Sequence, residues 1–263
     1  MGKREISLTL SAAIQLAALL ASPSWAFGQE NDTFLHQYEG NMGTSRIGMT
    51  VIRQGNQIKG GHYFYQKFLK NISVTGSIEG SQITLEELGQ GTFHLHFVGN
   101  GSEGSRPLDF ENSIGMDGTW MSVDGARIYP VSLRGTTIRN GAEAGHLYSE
   151  VTNETDEAFE KRVQSFFRAV LRGDKATATR FISYPLRANF ADGTRKKFRN
   201  SPEVLAIWND LFNPAMMTRL QRALPHEMFV HEGQAMLGNG EAWFDAKGLA
   251  VLNVPAASDP QVR

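Results

Sequence analysis

Residues Gly233 to Val254 read Gln234-Ala-Met-Leu-Gly238, Asn239-Gly240, Glu241-Ala-Trp-Phe-Asp245, Ala246-Lys-Gly248 and Leu249-Ala-Val-Leu-Asn-Val254. This punctuation limits the shapes open to the C-terminal part of the chain. An Asn-Gly pair between two apolar runs is a strong hairpin signal, because both central residues of a type I′ turn need positive φ. Asn239-Gly240 is therefore expected to close a tight turn. Asp245 to Gly248 suits a slightly longer loop, with Gly248 where the backbone wants a left-handed residue. The stretch predicts a three-stranded antiparallel meander. Alternation along its middle strand puts Glu241, Trp243 and Asp245 on one face and Ala242 and Phe244 on the other.

Upstream, the pattern turns helical. Thr155 is a suitable N-cap, Asp156 and Glu157 suit the positive end of a helix dipole, and Gly173 follows the last turn. Phe159, Val163, Phe166, Phe167 and Val170 recur at steps of three and four, so this helix buries one aromatic-rich stripe. Asp174 opens a second, shorter helix that Tyr184-Pro185 ends. Asp192-Gly193 marks a hairpin between Leu186 to Ala191 and Arg195 to Phe198. Ser201-Pro202-Glu203 starts a helix through Val204, Leu205, Trp208 and Phe212, and Pro214 restarts the chain toward Leu220.

The residues Phe166-Phe167-Arg-Ala-Val-Leu-Arg-Gly-Asp174, Tyr184-Pro185-Leu186, Leu211-Phe212 and Gly238-Asn-Gly-Glu-Ala-Trp243 resemble the nuclear transport factor 2-like (SnoaL-like) cone over residues 155 to 254. That resemblance implies an α+β domain in which a curved antiparallel sheet wraps helices and leaves an open-ended pocket. It implies no activity, since such scaffolds serve isomerases, dehydratases, binding modules and interaction domains. Cones of this kind often pair through their sheets, so a homodimer is one option.

The first half alternates in short strands: Ile47 to Arg53, Gln57 to Tyr65, Ile72 to Ile78, Gln82 to Leu88 and Thr92 to Val98, with glycine-containing turns between them. Such spacing predicts an all-β small barrel or sandwich. Phe93, Leu95 and Phe97 alternate with His94 and His96, giving one buried and one wet face. The residues Tyr38-Glu-Gly40, Gly61-His-Tyr-Phe-Tyr65, Ile83-Thr-Leu-Glu-Glu87, Gly118-Thr-Trp120 and Pro130-Val-Ser-Leu133 resemble a small glycine-rich β-domain of uncharacterised Gram-negative envelope proteins. The expected plan is a signal peptide at 1–26, a β-barrel-like domain at 36–136, a linker at 137–154 and the α+β domain at 155–255.

Lys3 and Arg4 precede an apolar run from Leu8 to Leu20 and a small-x-small site at Ser24-Trp25-Ala26, as in a secretory signal peptide cleaved between Ala26 and Phe27. The apolar run is shorter than the roughly 20 residues of a membrane span, so no membrane anchor is expected after cleavage. A periplasmic or secreted product follows. The 263 residues include no cysteine and carry a formal net charge of -1. Disulfides, thiolate metal sites and lipidation at a cysteine are thereby excluded, and nothing in the balance suggests nucleic acid.

No glycine-rich phosphate loop, nucleophile elbow or HExxH motif is present. The candidate ligand-pocket wall is Tyr184, Trp208 and Trp243. Glu241 is a candidate acid/base, with Asp245, His226, His231 and Asp192 behind it. His94 and His96 form a candidate metal pair, with His62 as a third ligand, although alternate polar residues on a half-buried strand are the usual solvent face. Arg195, Lys196, Lys197 and Arg199 form a basic cluster that alternation splits across two faces. The expected function is non-enzymatic binding of a small apolar or amphipathic ligand, or of an envelope protein, through the second domain and without a cofactor. The alternatives are a cofactor-free isomerase, dehydratase or hydrolase in the same pocket, and an inhibitor or immunity-type protein docking through the β-domain.

Overall fold

The structure is a computed structural model that describes residues 32–257, apart from 103, 105 and 141–145. The expected signal segment and its Ala26–Phe27 junction lie outside the described residues. The first half is a closed barrel of β1 (Thr33–Met42), β2 (Ser45–Gln54), β3 (Gln57–Tyr65), β4 (Ile72–Glu79), β5 (Gln82–Glu87), β6 (Gly91–Val98), β7 (Gly115–Ser122) and β8 (Ile128–Asn140). Each strand pairs antiparallel with the next, and β8 returns to β1. Closure removes every free edge, and period-two alternation fills the interior with one face of each strand. Met49, Val51, Tyr63, Ile83, Leu85, Phe93, Leu95 and Leu133 are buried there. The rings of Tyr63 and Phe93 meet edge to face at 5.1 Å.

A histidine interrupts this apolar interior. His36 is buried against Phe110, with ring centroids 4.6 Å apart. Burial, reinforced by the charge of Arg53, lowers its pKa from 6.5 to about 4. The neutral ring can then accept from Arg53 Nε at 3.3 Å. Because the unfolded chain takes up this proton first, the contribution of His36 is complete above pH 6.5 and is lost as pH falls toward 4. The expected loss is about 2 kcal/mol, from about 1.4 kcal/mol per pKa unit discounted for nearby solvent. His36→Gln should flatten the fall in Tm across that window, as thermal melts of both proteins between the two pH values would register.

The second half contains α1 (Asp156–Leu171), α2 (Lys175–Ala178), β9 (Ile182–Phe190), β10 (Arg195–Phe198), α3 (Ser201–Ala206), α4 (Trp208–Leu211), α5 (Pro214–Arg222), β11 (Phe229–His231), β12 (Gln234–Leu237), β13 (Ala242–Asp245) and β14 (Gly248–Val254). Thr155 caps α1 by accepting from Ala158 N. The stripe Phe159, Val163, Phe166 and Val170 is buried, and Phe166 meets Phe244 of β13 at 5.4 Å.

The helix-packed α+β cone expected for this half is not what the chain forms. The molecule is mostly β, with a six-stranded sheet ordered β10-β9-β14-β13-β12-β11 in which β14 runs parallel to β9. Among the described residues only α1 is a long helix; α2 to α5 are short. The physical reason lies in β14, where Leu249 to Leu252 are buried on both faces. An apolar run of this kind belongs in the middle of a sheet with a partner on each side. The meander β12-β13-β14 therefore continues into β9 instead of ending an antiparallel sheet. The side of the sheet that carries α1 is filled rather than hollow, with Trp208 stacked obliquely on Phe212 at 4.2 Å.

Two local expectations also shift. The turn between β12 and β13 spans 238–241, with Gly238 (φ 71) and Gly240 (φ 100) in positive-φ conformations and Asn239 not. Glu241 therefore belongs to the turn and not to the strand. The barrel extends to Asn140, beyond the expected limit at 136, because β8 stays paired with β1 to that residue. Within the expected linker, Tyr148 and Val151 are buried in the second core.

Both halves belong to one compact unit with two hydrophobic cores. They meet on the outer face of β1, β2 and β3. Gln37 and Thr50 point outward on that face and are nevertheless buried.

Candidate functional site

Gln37, Thr50 and His62 are register partners across β1, β2 and β3, so their outward side chains form a single row. All three converge on Glu227, in the segment between α5 and β11. Gln37 Nε2 donates to Oε2 at 3.4 Å, Thr50 Oγ1 donates to Oε2 at 2.8 Å, and His62 Nε2 meets Oε1. Burial pushes the Glu227 carboxyl upward, but the bond and charge of His62 and the Thr50 hydroxyl outweigh it and hold the pKa below the ordinary value. Glu227 occupies the left-handed region at φ 49, a conformation that costs a non-glycine residue about 1 kcal/mol or more. The contacts of its carboxylate offset that cost.

A second buried carboxylate stands beside the first. Glu160, on α1 next to Phe159, accepts from Tyr148 Oη at 2.7 Å and from Glu227 N at 2.7 Å, and meets His226 Nδ1. The other ring nitrogen of His226 reaches Asn71 Oδ1 at 2.8 Å, so His226 bridges the sheet half to the β3–β4 turn of the barrel. Phe64 packs edge-on against the same ring at 4.2 Å. Tyr148 Oη accepts from Met228 N, and Arg139 of β8 donates to Met228 O. Burial, then the charge of Glu160, raises the Tyr148 pKa well above its usual value, so the phenol stays a donor to the carboxylate. The segment 226–228 is thus fixed from both sides.

Above this network the two halves leave a cleft of about 510 Å³. Phe64, Met228 and Met236 supply apolar wall, while Arg46, Arg219 and Arg222 bring cations to it. Glu241 is buried in its wall, 3.2 Å from Arg219, and its other oxygen accepts from Asn239 N. Arg46 is loosely paired with Glu39 at 3.7 Å. Arg222, exposed at the end of α5, has no ion pair among the described residues.

The candidate wall residues are dispersed. Trp208 lies in the core, Trp243 is half-buried on the opposite sheet face beside its register partner Met236, and Tyr184 lines a separate groove with Arg187 and Asp245. Tyr184 Oη is also within 3.0 Å of Ser201 Oγ. Asp245 accepts from Ser183 Oγ at 2.7 Å and closes its own loop through Lys247 N and Gly248 N. Asp192 closes its turn through Thr194 N, and His231 is exposed on β11. Arg195, Lys196 and Lys197 are exposed on β10 and Arg199 follows it, also exposed.

His94 and His96 stand exposed on β6, whereas His62 on β3 is separated from them by β4 and β5 and turned to Glu227. At about 4.8 Å per strand spacing, the three cannot share one ion. Among the described residues no group of three His, Cys, Asp or Glu side chains could hold a metal.

Of the acid/base candidates, the structure brings Glu241 to the cleft and His226 to the network below it. The sequence reading missed Glu160, Glu227 and the row Gln37, Thr50 and His62 as one assembly. The available signal was a carboxylate beside the aromatic stripe of α1, and an adjacent His226-Glu227 pair between apolar segments. No family model, curated protein or solved structure matches the chain.

Proposed function

We propose that the protein is an exported, non-enzymatic binding protein whose ligand site is the cleft between barrel and sheet. The ligand class is a small amphipathic molecule with an anionic group, carried in the periplasm or outside the cell. The observation that carries this reading is the charge pattern of the cleft. Glu241 is matched by Arg219, Glu39 by Arg46, and Glu227 by the row of barrel donors, which leaves Arg222, at the rim of a partly apolar hollow, without an ion pair among the described residues. A guanidinium in that position suits a carboxylate, sulfonate or phosphate. Phe64, Met228 and Met236 suit the ligand's apolar body.

Catalysis by Glu241 finds less support. One of its oxygens is engaged by Arg219 and the other by the turn amide, so it is committed to holding the 238–241 turn. The test is a fluorescence titration with anilinonaphthalene sulfonate, an anion with an aromatic body. Enhancement with the wild-type protein and about tenfold weaker binding by Arg222→Glu are expected. Identical titrations for the two proteins would refute the assignment. Arg222 is exposed, so the substitution leaves the core intact.

A further inference from the structure

In an up-and-down barrel, alternate hairpins emerge at the same end. The β1–β2, β3–β4, β5–β6 and β7–β8 turns therefore share one end, and Val123 N donates to Gln90 O across two of them at 3.0 Å. These turns carry large apolar side chains outward: Phe68 is 66% exposed, Leu88 95% and Val123 73%, with Ile128 exposed beside them. Turns normally present polar residues to water, so three such tips on one end call for an apolar contact. At the opposite end the two short turns carry Gly55-Asn56 and Gly80-Ser81, and the longer β6–β7 connection exposes Ile114 by 43%.

The tips are also held in place. Phe68 N and Leu69 N both donate to Tyr65 O, and Leu69 is fixed at φ 53, in the left-handed region that a branched side chain disfavours. Cations surround them: Lys67 and Lys70 flank Phe68 and Leu69, and Arg127 lies over the Trp120 ring at 5.8 Å. Two of the three neighbouring acids make hydrogen bonds within the barrel, while Glu86 is exposed on β5. Asp124 accepts from Ser122 Oγ and Ala126 N, and Glu87 accepts from Tyr63 Oη at 2.8 Å.

We propose that this end of the barrel is a lipid-facing rim, in which Phe68, Leu88 and Val123 enter the surface of an anionic bilayer while Lys67, Lys70 and Arg127 meet its headgroups. The tips are highly exposed and come from separate turns, an arrangement that a fluid interface accommodates. Apolar tips in the headgroup layer with cations around them are the usual design of reversible interfacial binding. The rim is distinct from the cleft, and its test is independent of the cleft ligand.

The test is cosedimentation of the full chain with vesicles of phosphatidylglycerol and phosphatidylethanolamine, against vesicles of phosphatidylcholine alone. Sedimentation with the anionic vesicles is expected, with little on the neutral ones. The combined variant Phe68→Ser, Leu88→Ser, Val123→Ser should bind about tenfold more weakly or less. Lys67→Glu with Lys70→Glu should abolish the preference for anionic vesicles. All five positions are exposed or in turns, and an unchanged thermal melt confirms folding of each variant. Wild-type protein that stays in solution with both vesicle types overturns the proposal, as does a serine variant that sediments like wild type. Sedimentation only with native envelope membranes would assign the rim to a protein partner and also overturn it.

Discussion

Glu160→Ala is expected to lower stability by about 4 kcal/mol or more, because it removes the acceptor of three buried or part-buried donors at once. The donors are Tyr148 Oη, Glu227 N and the His226 ring, and no other acceptor takes over from the carboxylate for Tyr148 Oη or Glu227 N among the described residues. Tyr148 is fully buried and has no route to water once Glu160 is gone. Glu160→Gln should cost about half as much, since it keeps an acceptor oxygen and loses the charge. Urea unfolding followed by tryptophan fluorescence measures both, with Trp120 in the barrel core and Trp208 in the second core as reporters. A loss below about 1 kcal/mol for Glu160→Ala would mean that the network decorates the junction without fastening it.

Gly248→Ala is expected to cost about 3 kcal/mol, from backbone strain and a steric clash together. At φ 146 the backbone disfavours any side chain, and a Cβ there would stand 2.1 Å from Phe181 O. Relief would require β14 to move away from the chain that leads into β9, its parallel partner in the sheet. Gly193→Ala makes the control. It also has positive φ, 85, but a Cβ at that position would meet no atom within 4 Å, so a loss of about 1 kcal/mol is expected. Equal losses in the two variants would show that the close approach at Gly248 carries no weight.

What the sequence made legible was the inward side of each element. Phe93, Leu95 and Phe97 alternate because one face of β6 lines the barrel, and the stripe from Phe159 to Val170 exists because one side of α1 lies on the sheet. Burial of apolar atoms writes a period into the chain, and that period is local. The outward side is different. Gln37, Thr50 and His62 have the same alternation as a wetted face, yet they contact a segment 165 or more positions away in the chain. Periodicity reports which way a polar side chain points and carries no information on whether water or protein awaits it there.

Strand neighbours were hidden for the same reason. Leu249 to Leu252 read as the last leg of a meander, but β14 is an inner strand whose other edge pairs with the parallel β9, whose sequence lies far upstream. Glu241 was placed on a strand because Asn239-Gly240 suggested a two-residue loop. Its carboxylate instead closes a four-residue turn by accepting from Asn239 N, an option open to a carboxylate two positions after a turn amide. The candidate site follows from these long-range placements, so Arg222 and Arg46 had no local signature that joined them to one cleft.

The most direct measurement is a crystal structure of the protein grown with anilinonaphthalene sulfonate. The expected result is the sulfonate beside Arg222 and the aromatic body against Met228 and Met236, in the cleft where barrel and sheet meet. A probe bound instead in the groove of Tyr184, Arg187 and Asp245, or only on the exposed barrel turns, would contradict the assignment of the cleft as the ligand site.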